Sequence, residues 1–155
     1  MDGDNRAKAL RKSADRLQEL VINETFNKGI NATGDLVRSI SVSGIPTEKG
    51  ANLVLSMEEY GFIVDSGRGG AKRKGAKDWK PQLIRWIRAR GIRPKRGVTV
   101  EQLAYAIYRK INKKGYKPNP FIAPAVSQFM TKFPKEYAEA FAADIDVNLD
   151  KVTNK

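Results

Sequence analysis

In two stretches of this chain, residues 39–43 and 51–57, apolar side chains recur at every second position, whereas before and after them they recur at every third and fourth. Ile40 and Val42 alternate with Ser39, Ser41 and Ser43, and Ala51, Leu53, Leu55 and Met57 alternate again beyond a turn expected at Ile45-Pro46-Thr47-Glu48-Lys49-Gly50. A period of two is that of a strand with one buried face, so the pair predicts a β-hairpin. A lone hairpin is at best marginally stable in water. Helices from the rest of the chain therefore have to cover one of its faces. That requirement sets the expected class: an α+β fold, a small antiparallel sheet packed by several α-helices, with an N-terminal helix and a helical C-terminal extension.

The helices are legible in the remaining periodicity. Residues 5–28 predict a helix, with Ala7, Leu10, Ala14, Leu17 and Val21 on one stripe, Phe26 near its end, and Arg11, Lys12, Asp15 and Glu19 opposite. Asp2 or Asp4 can cap its start, and Gly29 suits the left-handed position after its end. Thr33 and Gly34 open a short helical turn with Thr33 as its expected cap. Tyr60 to Gly67 is apolar and then abruptly glycine-rich, which reads as one buried turn leading into a loop. That loop, Arg68 to Lys77, has glycines and no apolar anchor and is expected to be mobile unless bound. Residues 79–90 predict a helix with Pro81 in its first turn, Trp79, Leu83, Trp86 and Ile87 on one face, and Gly91 at its end. Thr99-Val100-Glu101-Gln102 is a capping box that starts a helix running to about residue 114, with Leu103, Ala104, Ile107 and Ile111 inward and Arg109 and Lys113 outward. Ala125, Val126, Phe129 and Phe133 suggest another helix, kinked or restarted at Pro134 and continued by Tyr137, Phe141 and Ile145. We divide the chain into an N-terminal helix (1–30), an α+β core (31–131) carrying a basic loop (68–78), and a C-terminal extension (132–155), a single domain overall.

Composition narrows the chemistry. With 155 residues and 41% hydrophobic content, the chain can bury one substantial core and is not a disordered composition. It contains neither cysteine nor histidine. Disulfides, Cys- or His-based zinc sites, histidine general bases and cysteine nucleophiles are all excluded. No apolar run approaches a membrane span, and the N-terminal segment lacks the unbroken apolar stretch of a secretory signal. We expect no membrane contact and a protein made and used in the cytosol.

The formal net charge of +12 is concentrated. Residues 68–117 hold 17 basic and 2 acidic side chains, a net +15, while the segments before and after it are close to neutral. Such a field attracts polyanions and weakens in salt. Arg68, Lys72, Arg73, Lys74, Lys77, Arg85, Arg88, Arg93, Lys95 and Arg96 are the side chains expected to meet DNA or an acidic partner protein. They carry no base-reading pattern, so contact with phosphate would be independent of sequence. Trp79 and Trp86 are interleaved among them, and their helical spacing with Leu83 favours packing over base stacking.

Catalytic constellations are tested and found wanting. Gly70 and Gly75 have the glycine spacing of a phosphate-binding loop, but Ala76 and Lys77 follow where Lys and then Ser or Thr are needed. Glu48, Glu58, Glu59, Asp65 and Asp78 are the candidates for a magnesium site, yet Asp65 reads better as a cap or turn-bonding residue and the glutamates as solvated surface. Ser66 has no base near it. We therefore expect no enzyme, no cofactor and no metal.

Four segments in order resemble a known family. Thr33-Gly34-Asp35-Leu36-Val37-Arg38-Ser39-Ile40 resembles the "TG-x-L-x-x-SI" segment of tail-completion and minor tail proteins of long-tailed bacteriophages. Tyr60, Val64, Asp65 and Gly67 resemble its "Y-x-x-x-V-E-x-G" segment, which follows a hairpin. Trp86, Ile87, Arg88 and Gly91, then Lys114-Gly115, are similar to its basic helix and the helix after it. Lys117-Pro118-Asn119-Pro120-Phe121-Ile122-Ala123-Pro124-Ala125 is similar to its closing "KP-x-PF-x-x-PA". The resemblance runs from about residue 33 to 130. Departures are Asp65 where Glu is common, a longer and more basic loop at 68–77, and the C-terminal extension.

The resemblance implies a virion structural protein that joins head to tail: a ring of six or twelve copies between the portal-side connector and the tail tube, surrounding packaged double-stranded DNA and assembled in the host cytoplasm. Strand pairing between copies would satisfy the open edges of the hairpin. The alternative reading, resting on the +15 segment, is a stand-alone sequence-independent nucleic-acid-binding protein.

Overall fold

The computed structural model describes residues 4–47, 50–70, 79–131, 133 and 135–140. Within them the order is α1 (Asp4–Asn27), α2 (Asp35–Ser39), β1 (Ser41–Thr47), β2 (Gly50–Ser56), α3 (Glu59–Ser66), α4 (Trp79–Ala89), α5 (Val100–Lys114) and α6 (Ile122–Met130). Helical backbone recurs at 135–140. The class is α+β, with a two-stranded antiparallel sheet, as the periodicities require. Asp2, Phe141 and Ile145, together with Glu48, Lys49, Pro134 and the loop residues 71–78, lie outside the described residues.

α1 is the scaffold. Leu10, Ala14, Leu17, Leu20 and Val21 form its buried stripe, and it packs on both β1 and α6. Its end is built as expected: Gly29 takes φ +61, its N–H donates to Phe26 O (2.9 Å), and the Ile30 N–H donates to Thr25 O (2.9 Å). Two positions differ. Ala7 is exposed, and Phe26 is 56% exposed because it projects from the far side of the last turn. Asp4 is the first helical residue rather than a cap outside it. The polar side chains buried along α1 are satisfied at close range: Ser13 Oγ donates to Ala9 O (2.7 Å) and Thr25 Oγ1 to Ile22 O (2.7 Å).

The hairpin is longer and tighter than its pattern suggested. Ile45, Pro46 and Thr47 belong to β1, and Thr47 pairs with Gly50. A two-residue connection, 48 and 49, thus replaces the six-residue turn. Proline is admitted because of the register. The Val42 N–H turns away from β2 and donates to Gln18 Oε1 on α1 (3.1 Å). By the alternation of an antiparallel ladder, Gly44 and Pro46 also direct their backbone outward, so Pro46 lacks an N–H only where β2 does not need one. The inner face sits close to α1. A Cβ on Gly44 would collide with the Leu10 side chain, so glycine sets the helix–sheet distance.

The main core is Leu17, Leu20, Val21, Leu36, Ile40, Phe121, Ala125 and Phe129, with Val42, Leu53, Leu55, Met57 and Val64 packed against it. α1, α2, the sheet and α6 thus share one core across the expected boundary at residue 30. Tyr60 to Gly67 is not a buried turn. It is the helix α3, with only Gly61 buried and Tyr60 and Phe62 more than 40% exposed. A Cβ on Gly61 would fall 2.5 Å from Met57 Sδ and 2.6 Å from Leu36 Cδ1, so the missing side chain lets α3 settle against the end of the sheet.

α4 and α5 pack on each other and each buries one side chain completely, Ile87 and Ala104. Trp79 stacks on Tyr108 with centroids 4.0 Å apart. The capping box at Thr99 is formed in both directions: Gln102 N–H donates to Thr99 Oγ1 (3.2 Å), and Thr99 N–H donates to Gln102 Oε1 (2.9 Å). α6 accommodates Pro124 in its first turn, where no helical N–H is required. Ala125 and Phe129 are its buried residues, and Val126 is 38% exposed. No helix among the described residues is long and apolar enough to cross a membrane.

Candidate functional site

The residues singled out by motif, Trp86, Ile87, Arg88 and Gly91 excepted, converge from distant positions in the chain on one junction. α2 opens at Gly34, which holds the cap position with φ +77. Thr33 is not the cap; its hydroxyl donates to Asp35 Oδ2 (2.8 Å) instead. Leu36 and Ile40 are buried in the core. Ser39 Oγ donates to Leu36 O (2.7 Å) and accepts the Glu58 N–H (3.1 Å), which fastens the entry to α3 onto α2. From α3, Val64 O accepts the Asn119 N–H (2.9 Å).

Asp65 is the centre of the junction. Its Oδ1 accepts the backbone N–H groups of Phe121 (2.8 Å) and Ile122 (2.9 Å). These are free N–H groups at the start of α6, a helix whose own cap residue, Phe121, supplies no side-chain acceptor. The aspartate caps this helix from 56 residues away. The capping role weighed for Asp65 is the one observed. Phe121 itself is completely buried, Pro124 is half-buried, and Pro118 and Pro120 are exposed where they shape the approach to α6.

Just beyond Asp65 the chain is clamped to the end of α5. Arg68 N–H donates to Tyr116 O (2.9 Å), and Tyr116 N–H donates to Arg68 O (2.7 Å). Two glycines allow this. A Cβ on Gly67 would lie 2.8 Å from Pro118 N and Tyr116 O, and one on Gly115 would collide with Arg68 O. Gly115 also takes φ +79, ψ −167, a conformation open in practice only to glycine.

The cations named from sequence divide into three groups. Lys72, Arg73, Lys74 and Lys77 lie outside the described residues. Arg85 is engaged: its guanidinium pairs with Asp35 (3.0 Å) and ties α4 to α2. Arg38 pairs with the same carboxylate. Arg68, Arg88, Arg93, Lys95 and Arg96 are exposed. Arg90 is also engaged, donating to Gly29 O with its guanidinium 5.9 Å over the Trp86 ring. The Thr33 hydroxyl chiefly, with Arg38 and Arg85 adding, holds the Asp35 carboxyl below its ordinary 3.8, against an opposing effect of desolvation. Glu101 is likewise held low by its own backbone N–H and the Thr99 hydroxyl, with Lys80 and Arg88 contributing charge.

The candidate list omitted four cations on the outer face of α5: Arg109, Lys110, Lys113 and Lys114, all exposed. Their three- and four-residue spacing opposite Leu103, Ala104, Ile107 and Ile111 is the signal that could have found them. They line a shallow recess with Ala106 and Asn112.

No protein-family model, curated protein or solved structure matches the chain.

The geometry around the suggested chemical groups is that of packing. Glu58 and Glu59 are exposed, and Glu48 and Asp78 lie outside the described residues. Among the described residues no three acidic side chains gather. Ser66 Oγ donates to Phe62 O of its own helix (2.7 Å). Trp79 is stacked on Tyr108 and not offered to a base. What the arrangement can do is hold segments together and present charge and strand edge.

Proposed function

We propose that the chain is a structural protein of the virion of a long-tailed bacteriophage, forming a ring at the head–tail junction between the portal-side connector and the tail tube, around the DNA channel, with no reaction of its own. The ordered motifs support this reading because their residues serve the subunit's architecture: Leu36, Ile40 and Phe121 in the core, Asp65 as the cap of α6, Gly67 at the clamp.

The observation that carries the assembly is the asymmetry of the hairpin's two edges. On β1, the outward positions are Val42, whose N–H is taken by Gln18, Gly44, and Pro46, which has none. Among the described residues that edge keeps one free donor, the Gly44 N–H. On β2, the outward positions are Ala51, Leu53 and Leu55, and none of their three N–H groups meets an acceptor among the described residues. A sheet of two strands with one edge blunted and the other open is suited to receive a segment of a neighbouring copy in one direction. A single directional contact repeated head to tail forms a ring where its rotation closes.

The test is electron microscopy and mass photometry of the purified protein, with Ala51→Pro as the variant. It removes an outward N–H with little loss of core. Rings in the wild type that disappear in the variant are expected. A wild type that stays monomeric at high concentration and is absent from phage particles overturns the proposal.

The second reading, a stand-alone nucleic-acid-binding protein, is favoured by the cations on α5, which have no ion pair among the described residues. It requires tight binding by the monomer together with absence from the particle.

A further inference from the structure

We infer that the exposed face of the C-terminal half of α5, built by Arg109, Lys110, Lys113 and Lys114, is a phosphate-contact surface for double-stranded DNA. The inference stands on α5 alone and does not depend on the ring.

Arg38 and Arg85 share the Asp35 carboxylate, Arg90 is engaged by Gly29 O and Trp86, and Arg16 pairs with Glu19 (2.7 Å). Lys80 and Arg88 share their field with Glu101. The four cations of α5 have no ion pair among the described residues, and the one acid of their helix, Glu101, sits at its opposite end. Part of this is ordinary helix design, since cations in the last turn complement the partial negative charge of the C-terminus. That accounts for Lys113 and Lys114. Arg109 and Lys110 lie a turn earlier, where the effect has faded.

Residues four apart on a helix rise about 6 Å, so Arg109 and Lys113, and Lys110 and Lys114, form two short parallel rows on a rigid rod. Cations held on a helix lose less freedom on binding than cations on a loop. Arg93, Lys95 and Arg96 occupy the irregular connector around Pro94 and Gly97 and lack that advantage.

A protein interface would need an apolar centre, and interfaces are depleted in lysine; the exposed apolar residues of α5 are only Tyr105 and Ala106. The same scarcity leaves nothing to insert into a lipid surface. Single strands are held by aromatic platforms, but Trp79 and Tyr108 are stacked on each other. A row of unpaired cations without a hydrophobic centre fits the regular phosphates of a duplex.

The experiment is fluorescence anisotropy of a labelled DNA duplex with the full chain across a salt series. Wild-type binding is expected to be independent of sequence. In the quadruple variant R109Q/K110Q/K113Q/K114Q, the slope of log K against log salt should fall by about 3 to 4, the contribution of four phosphate contacts. The double variant R109Q/K113Q should lose about half as much, and it guards against a folding defect in the quadruple. The charge-matched variant R88Q/R93Q/K95Q/R96Q should keep most of the wild-type slope. Equal losses in the two quadruple variants, no duplex binding at low salt, or tighter binding to single-stranded DNA or phosphatidylserine vesicles would each overturn the inference. A ring without duplex affinity overturns this surface and leaves the assembly reading standing; a monomer that binds duplex through α5 does the reverse.

Discussion

Asp65 carries two backbone donors of α6 on one carboxylate oxygen, and its removal leaves both at a partly buried helix start. Replacing a helix-capping side chain by alanine costs about 1 kcal/mol, and hydrogen bonds to a charged group are worth more, so Asp65→Ala should destabilise the fold by about 2 kcal/mol in urea denaturation. Asp65→Asn keeps an acceptor oxygen and should recover part of that. A reaction centre would show the opposite pattern, with stability preserved and an activity lost. Asp35 offers a pH-dependent test. Its carboxyl titrates below its ordinary value in the folded chain, so its contribution is complete above the unfolded value near 3.8 and disappears as pH falls through the lower folded value. The stability difference between wild type and Asp35→Asn should therefore be constant at neutral pH and vanish in acid, as read from denaturation midpoints across pH. An increasing difference in acid would contradict the assigned partners.

At the scale of elements, the chain has a tightly fastened part and a loosely fastened one. α1, α2, the sheet and α6 share the main core, whereas Ile87 and Ala104 lie outside it. α4 and α5 reach the rest through the Arg68–Tyr116 bridge, the exposed Arg85–Asp35 pair and the Arg90 contact with Gly29. Exposed pairs contribute little each. Backbone amides in α4 and α5 should accordingly exchange with deuterium before those of Leu17 to Val21 and of α6, on the general rule that local opening follows sparse apolar burial. Equal protection throughout would show the pair of helices to be integral to the core. Within α5, Thr99→Ala removes half of a complete capping box and should cost about 1 kcal/mol, seen first as faster exchange in that helix's opening turn.

For the whole molecule, the proposed assembly links folding to association, because anything that binds only the native state stabilises it. The thermal midpoint should rise with protein concentration, and Ala51→Pro should remove that dependence while leaving a folded monomer; a midpoint indifferent to concentration in the wild type counts against strand addition. The parts of this molecule readable without coordinates are those set by neighbours a few residues apart. The alternation at 51–57, the stripe of α1 from Leu10 to Val21, the glycine after it and the Thr99–Gln102 box each depend on a turn or a pleat and stand as their patterns imply, while the alternation at 39–43 marks a strand that starts only at Ser41 because Ser39 closes α2. The misread parts turn on distant partners. Glycine and a mixed apolar run argue locally against a helix at 59–66, yet α3 forms because Gly61 admits Leu36 and Met57 at close range. Pro46 argues for a turn until the register shows its nitrogen facing away from β2. Nothing near Arg85 distinguishes it from Arg88; both are exposed, and Asp35, fifty positions away, makes only the first of them a tie between helices. Sequence thus determined which segments are helix-like or strand-like and where the charge is concentrated, whereas tertiary structure decided which polar groups are consumed internally and which remain free, since that depends on what folding brings alongside them.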